Sequence, residues 1–205
     1  MSTTSAATVP SSSNKVHRAS PLTVGTVVFL ASECMFFSGL FATYFTLRAI
    51  TPAEWPPEGS ELPQLFRALA FTILLVASSG TMQMGVRALE RGRLQAFRNW
   101  VLATMALGGI FVINQALEWT ELIANRGGHG FSHASHAYGS VFFTMTGFHG
   151  LHVTVGVLAM FILLARSGAK RFGHKDVPSV EVVSYYWHFV DVVWVIMFCV
   201  LFFIK

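Results

Sequence analysis

Residues 182–204 read VVSYYWHFVDVVWVIMFCVLFFI, an apolar run that contains one histidine, His188, and one aspartate, Asp191. A helix that spans a membrane needs about 20 consecutive, mainly apolar residues, so this run predicts a transmembrane helix. Four more runs of similar character precede it, at about 22–47, 65–86, 100–117 and 138–165. The sequence therefore predicts an all-α fold, a polytopic transmembrane bundle of five helices.

The composition of the whole chain is typical of a membrane protein. Hydrophobic residues make up 53% of the 205 residues, charged residues only 12%, and the mean hydropathy is +0.56. A soluble domain carries about 25% charged residues. The net charge is +4, but the basic residues are spread between the apolar runs and do not form the contiguous patch that nucleic-acid binding needs. We predict no nucleic-acid partner.

The connecting segments predict the orientation of the bundle. Basic residues occur at 15–18, before the first run, at 87–98, between the second and third runs, and at 166–175, between the fourth and fifth runs. The positive-inside rule places such segments in the cytoplasm. The N-terminus is therefore predicted to be cytoplasmic and the C-terminus to lie outside. Residues 1–20, rich in Ser, Thr and Ala, are predicted to be a disordered cytoplasmic tail before a membrane domain at 21–205.

Five ionisable side chains lie well inside the apolar runs: Glu33, His149, His152, His188 and Asp191. An ionised side chain at the centre of a bilayer costs roughly 2.5 to 3.5 kcal/mol, so we expect these residues to face protein and to be neutralised or paired. A spacing of three places the two histidines of the fourth run on one helix face, and the histidine and aspartate of the fifth run on another. We therefore expect a polar seam inside the bundle.

Three interpretations of this seam remain open: interhelical hydrogen bonding by neutral side chains, proton handling, and a metal site. Iron and manganese sites in helix bundles use Glu-x-x-His pairs on two helices, and these spans contain no such pair. The outer-loop histidines His129, His133 and His136 lack cysteine or carboxylate partners, so we interpret them as a solvated loop. We predict no metal bound by this chain.

Three further patterns concern the helix ends and the helix contacts. Glu118 and Glu121 are i,i+3 neighbours near the outer end of the third helix, and we interpret them as solvated carboxylates at the membrane interface. Aromatic residues close to the run ends are predicted to form an interfacial belt, and they are Trp55, Trp100, Trp119, Tyr185, Tyr186 and Trp187. Small residues four apart allow helices to approach closely, as we expect for Ser38 with Ala42 and for Thr104 with Gly108.

Several motifs together resemble subunit III of the haem-copper terminal oxidases. They are SECMFF at 32–37, QALEW at 115–119, YGS at 138–140, GFHGLHV at 147–153 and YWHFVDVVW at 186–194. The two histidine-containing motifs are highly specific for that family. The resemblance runs from about Pro21 to the C-terminus and leaves only the tail outside it.

The resemblance implies an accessory subunit of an aa3-type cytochrome c oxidase, a proton-pumping complex of an aerobic electron transport chain that reduces dioxygen to water. Such a subunit binds no redox cofactor itself, because subunits I and II hold the haem and copper. The resemblance also implies roles in phospholipid binding, proton uptake and the stability of subunit I. Glu33 corresponds to the family's buried helix carboxylate, which supports proton uptake. The other motif positions are His149, His152, His188, Asp191 and Glu118.

The implied partners are subunits I and II, small accessory subunits or a respiratory supercomplex, and the lipid of a bacterial plasma membrane. Longer family members have two additional N-terminal helices, so here a neighbouring subunit or lipid must cover the same face. Glu33 favours a cytochrome c oxidase, because quinol oxidases often have Asp at that position. The residues alone also allow a second hypothesis, that the chain is an independent proton-coupled transporter, although no discontinuous helix or inverted repeat in the sequence supports it.

Overall fold

The computed structural model describes residues 21–51, 55, 65–124, 137–168 and 172–204. These residues form five long helices, which are α1 (Pro21–Ile50), α2 (Leu65–Glu90), α3 (Leu94–Ala124), α4 (Ala137–Ser167) and α5 (Val177–Phe203). A short 3₁₀ turn at His174–Asp176 precedes α5, and the described ranges contain no strand. All five helices are long and apolar enough to cross a membrane. The predicted all-α bundle of five transmembrane helices is confirmed.

The helices extend beyond the apolar runs that predicted them. The largest difference is in α3, which begins at Leu94 and ends at Ala124 instead of covering only 100–117. A helix of 31 residues is about 46 Å long, which exceeds the hydrocarbon core and reaches the polar headgroups on both sides. Polar residues are therefore compatible with the helix ends. The tail at 1–20 and the loop histidines His129, His133 and His136 lie outside the described residues.

The helices pack around α5. It contacts α1, α2 and α4, while α3 packs between α2 and α4. In an apolar stretch of 18 residues from each helix, 50% of the stretch is buried in α5 and 11% in α1. α1 packs on α4 and α5 and buries only Thr26, Phe37 and Tyr44. The core of the bundle therefore lies between α2, α3, α4 and α5, and α1 is attached to its side.

Trp187 of α5 contacts three other helices in this core. Its side chain is fully buried (0% exposed), and its indole N–H donates to Ser78 Oγ of α2 at 2.9 Å. Gly108 of α3 and Gly156 of α4 lie directly against the indole ring. A methyl group at these glycines would lie 2.5 Å from Cη2 and 2.8 Å from Cε3, respectively. The packing of α3 and α4 against the Trp187 side chain therefore requires glycine at both positions.

The position of Trp187 shows that the predicted interfacial belt was wrong for two of its members. α5 begins at Val177, so Trp187 lies about 15 Å along the helix from its first residue. Tyr186 is also buried, and its hydroxyl donates to the carbonyl oxygen of His152 at 3.0 Å. Only Tyr185 of the three neighbours is exposed. Sequence reasoning erred because it began the fifth helix at 182, which placed these aromatic residues at a helix end.

The prediction of close contacts by small residues is confirmed for α3 and wrong for α1. Thr104 is fully buried and its hydroxyl lies 2.8 Å from that of Thr81 on α2, one turn from the contact made by Gly108. Ser38 and Ala42 face outward instead. The reason is the small contact area of α1, which turns most of its residues away from the other described helices.

The two neighbouring glycines of α3 allow a matched test of this packing. Gly108→Ala should lower the free energy of unfolding by about 1 to 3 kcal/mol, because the added methyl group overlaps the buried indole. Gly109→Ala should be neutral or stabilising, because nothing lies within 4 Å of its added methyl group and alanine is the better helix former. Thermal unfolding of the two variants in one detergent measures the difference. Equal melting temperatures would contradict the role given to Trp187.

Candidate functional site

Glu33 of α1 and His152 of α4 form a hydrogen-bonded pair. Glu33 Oε2 lies 2.9 Å from His152 Nε2, and the two side chains are only 20% and 12% exposed. The other ring nitrogen of His152, Nδ1, lies 2.6 Å from the carbonyl oxygen of Phe148. Phe36 and Phe37 flank the imidazole, with ring centroids at 6.2 and 5.0 Å. Since His152 is the middle residue of α4 (Ala137–Ser167), the pair lies near the centre of the bundle's length.

The hydrogen bonds of His152 define where its protons lie. A carbonyl oxygen only accepts hydrogen bonds, so Nδ1 must carry a proton. The contact with Glu33 then needs one more proton, which lies either on the carboxyl oxygen or on Nε2. In the first case both groups are neutral, and in the second they are an ion pair. The pair therefore holds one proton that can move between the two residues while its net charge stays zero, as suits the membrane interior.

His188 and Asp191 of α5 form a second polar cluster with Ser79 of α2. Ser79 Oγ lies 2.8 Å from His188 Nδ1 and donates to Asp191 Oδ2 in a short hydrogen bond. Asp191 is 4% exposed, and its Oδ1 has no hydrogen-bond partner among the described residues. The two α5 side chains thus share a helix face, as their spacing indicates. Sequence reasoning missed Ser79, whose only signal was a hydroxyl inside an apolar run.

His149 does not join either cluster. It is fully buried and stacks on Trp194 at 4.8 Å with an interplanar angle of 28°, while Phe111 contacts its ring edge-on at 5.9 Å. Neither ring nitrogen has a hydrogen-bond partner within the described ranges. Residues three apart lie about 60° from each other around a helix, and on α4 the boundary between the aromatic core and the contact with α1 falls between the two histidines, so His149 faces the core and His152 faces α1. The structure therefore separates the expected polar seam into distinct sites.

A third polar cluster surrounds the end of α3 at Glu118. Glu118 is buried (8% exposed), and its Oε1, like Gln115 Nε2, has no hydrogen-bond partner in the part of the chain that is described. Arg67 of α2 donates from Nε to Asn114 Oδ1 at 2.9 Å and from Nη1 to Glu121 Oε2 at 2.6 Å. The prediction of a solvated carboxylate is confirmed for Glu121, whose side chain is 61% exposed, and was wrong for Glu118.

Sequence reasoning also missed the partners of this third cluster. Asn114, Gln115 and Glu118 are spaced for one helix face, and Arg67 lies in the first turn of α2. The helical spacing of the three α3 residues indicated a shared polar face. It was overlooked because each of these residues has apolar neighbours in the sequence. Across the described residues, no three histidine, cysteine, aspartate or glutamate side chains are grouped so that they could hold a metal ion. Each cluster instead joins carboxyl, imidazole, hydroxyl, amide or guanidinium groups by hydrogen bonds.

Comparison with known proteins gives one consistent result. A protein-family model described as "Cytochrome c oxidase subunit III" matches residues 5–205. The "Probable cytochrome c oxidase subunit 3" of Mycobacterium tuberculosis is 47% identical over 202 residues, which cover 98% of this chain and 97% of that protein. The "Cytochrome c oxidase subunit 3" of Corynebacterium diphtheriae is 45% identical over 192 residues, covering 93% and 91% of the two chains.

A more distant relative, the "Cytochrome c oxidase subunit 3" of Thermostichus vulcanus, is 37% identical over 182 residues, with 87% of this chain and 85% of that protein covered. The match to the family model therefore spans the residues of all five helices. Together with the five helices that can cross a membrane, it makes the chain a multi-pass membrane protein within an oxidase complex. The chain belongs to the cytochrome c oxidase subunit III family.

Proposed function

We propose that this chain is the non-catalytic subunit III of an aa3-type cytochrome c oxidase in a bacterial plasma membrane. In this role it supports proton uptake, lipid binding and the stability of subunit I, while the complex reduces dioxygen to water. Subunits I and II would hold the haem and copper. Membership of the family supports the assignment to an oxidase, and the Glu33–His152 pair is the observation that carries the proposed link to protons.

The Glu33–His152 pair is suited to proton exchange for three reasons. It holds one proton that can lie on either residue, because His152 Nδ1 is already occupied by its bond to Phe148. Movement of that proton between the two residues leaves the net charge of the pair at zero, which avoids the cost of an unpaired ion in the membrane. Both side chains keep some exposure at the side of the bundle. A neighbouring subunit packed there could therefore receive the proton.

An apolar groove between α1, α4 and α5 supports the proposed binding of phospholipid. Its volume is about 460 Å³, and its lining includes Leu22, Phe29, Val155, Ala159 and Val183. These side chains offer no charge and little hydrogen-bonding capacity to an occupant. An acyl chain therefore matches the chemistry of the groove, and a lipid there would fix the loosely packed α1 against the remaining helices.

The proposed orientation places the N-terminus in the cytoplasm and the C-terminus outside. It follows from the positive-inside rule applied to the basic segments at 87–98 and 166–175. The two segments are joined by Arg98 of α3, whose side chain donates from Nε to Ser167 Oγ at 3.0 Å and also bonds the Ser167 carbonyl oxygen. A cation at the C-terminus of α4 is favoured by the helix dipole, so this contact stabilises the proposed cytoplasmic end.

The exposed side of α1 supports the proposal that other subunits or lipid surround the chain. Val27, Val28 and Met35 are 60%, 66% and 78% exposed on this helix. In a membrane such residues are covered by acyl chains or by another transmembrane helix. We propose that this face takes the place where longer members of the family have their two additional helices, with a neighbouring subunit or lipid as its cover.

Replacement of Glu33 tests the link to proton uptake. Glu33→Gln keeps the shape of the side chain and a hydrogen bond to His152 but removes the proton that the pair shares. We expect normal assembly and a severalfold lower rate of oxygen consumption at alkaline pH, where protons are scarce, with little change at acidic pH. The measurement is a pH profile of turnover by the purified oxidase.

Glu118→Gln is the matched control for this experiment. It removes another buried carboxyl group in the bundle that has no contact with the Glu33–His152 pair. We expect its pH profile to follow the unmodified oxidase. If Glu33→Gln and Glu118→Gln gave the same profile, Glu33 would have a structural role only.

Purification of the complex tests the assignment to a cytochrome c oxidase. Extracted in mild detergent, a tagged form of this chain should carry haem-containing subunits with it. The reduced-minus-oxidised spectrum should show a-type haem, and the complex should oxidise reduced cytochrome c. Oxidation of quinol alone would assign it to a quinol oxidase. Isolation without any haem-containing partner would contradict the proposal and would favour an independent transporter, for which substrate uptake into liposomes is the test.

A further inference from the structure

We propose that the groove around Ser79, His188 and Asp191, between α2 and α5, is a docking surface for a transmembrane helix of another oxidase subunit. That helix contributes a hydrogen-bond acceptor to the free ring nitrogen of His188. The inference rests on the proposed function, since it requires an oxidase complex, and it names the surface by which this chain is held in that complex.

The groove is open, apolar at its edges and polar at its base. Its volume is about 270 Å³, and the three polar residues line it together with Val76, Val192, Val195 and Ile196. Val192 is 57% exposed, and Ile196 and Val76 are 48% and 46% exposed. These side chains leave room for residues of an adjacent helix. A helix placed against the groove would bury all of them.

The polar cluster lies midway along both helices, which corresponds to the middle of a membrane that these helices cross. The centre of α5 (Val177–Phe203) is Val190, so His188 lies about 3 Å from it along the helix axis. Ser79 is likewise close to the centre of α2 (Leu65–Glu90). Half of the hydrocarbon core is about 15 Å thick, which keeps the ester and phosphate oxygens of lipids far from these residues.

The hydrogen bonds inside the cluster determine what His188 presents to the groove. A net charge at this depth is costly, so the protons on Asp191, Ser79 and His188 must be placed so that the cluster is neutral overall. If Asp191 is ionised, Ser79 donates to it and accepts from Nδ1–H of an imidazolium, whose Nε2 is also protonated. If Asp191 is protonated at Oδ2, it donates to Ser79, which donates to Nδ1, and the proton of the neutral imidazole is again on Nε2.

Both arrangements therefore place an N–H group at Nε2 of His188. A proton on Asp191 Oδ1 would change this result, but that oxygen is buried without a hydrogen-bond partner among the described residues, so an O–H group there would have no acceptor. Nε2 of His188 has no hydrogen-bond partner within the described ranges either. The groove thus contains a donor that the described residues do not satisfy.

An acceptor for this donor must come from a protein. Acyl chains have no acceptor, and an unsatisfied polar group in hydrocarbon is costly, so lipid alone is a poor cover for the groove. A backbone oxygen of a helix can accept a second hydrogen bond, as that of His152 does from Tyr186, but a side-chain oxygen extends further from the helix axis and so reaches across the groove. We infer that the partner helix carries a Ser, Thr, Asn or Gln side-chain oxygen at its own mid-membrane position, with apolar residues on either side of it.

A steric block tests the surface in the intact oxidase. Val192→Trp adds bulk to a side chain that is 57% exposed, and Phe161→Trp is the control on α4, where the original side chain is also 57% exposed. The amount of haem that purifies with the tagged chain should fall severalfold for Val192→Trp and stay unchanged for Phe161→Trp. Chain abundance in the membrane shows that both variants are inserted. Equal retention of haem would overturn the inference.

Two substitutions of His188 test the donor. His188→Gln keeps N–H groups, whereas His188→Phe removes them. Retention of haem after a detergent challenge should decrease from the unmodified chain through His188→Gln to His188→Phe. Equal retention by all three chains would overturn the proposed hydrogen bond. If the unmodified chain itself purified without haem, the proposed function would fail first.

A photoreactive benzophenone side chain at Val192 provides a test that does not depend on weakened assembly. Illumination of the oxidase should link the chain to another oxidase subunit, while the same group at Phe161 should not give that product. Adducts with lipid alone at position 192 would show that the groove faces the bilayer, and the inference would be wrong.

Discussion

The fold depends most on the contact of one buried indole with three neighbouring helices. Trp187 of α5 donates its N–H to Ser78 of α2 and packs its ring against Gly108 of α3 and Gly156 of α4. In a membrane, apolar side chains gain little by leaving lipid for protein, so close packing and hydrogen bonds hold helices together. Trp187 supplies both at one point. Because a methyl group would overlap the ring at either glycine, α3 and α4 can pack against Trp187 only where they carry no side chain.

The same contact aligns α2 with α5 and so places the polar cluster between them. Ser78 and Ser79 are consecutive, and they bond the consecutive residues Trp187 and His188. Ser78 lies in the core, whereas Ser79 lines the groove on the outside of the bundle. A shift of α2 along α5 would break both bonds together. The structural contact of Trp187 and the unsatisfied donor of His188 are therefore consequences of one helix register.

The two histidine–carboxylate sites obey a common constraint, which is the cost of net charge in hydrocarbon. In each of them one imidazole and one carboxyl group share a proton, directly for Glu33 and His152 and through Ser79 for Asp191 and His188. They differ in what remains unsatisfied. At the first site, both ring nitrogens of His152 have partners, Nδ1 in Phe148 and Nε2 in Glu33, so the shared proton can move between the two residues. The second imidazole, that of His188, has a donor without a partner among the described residues, which favours a contact with another subunit.

The sequence by itself determined the five transmembrane helices, because the length and composition of the runs suffice to recognise a spanning helix. It also named Glu33, His149, His152, His188 and Asp191, since ionisable residues are rare in such runs. Only the tertiary structure decided which of them meet. Helical spacing states which residues share a face but not which helix that face contacts, so Ser79, the isolation of His149 and the burial of Trp187 and Glu118 could not be predicted.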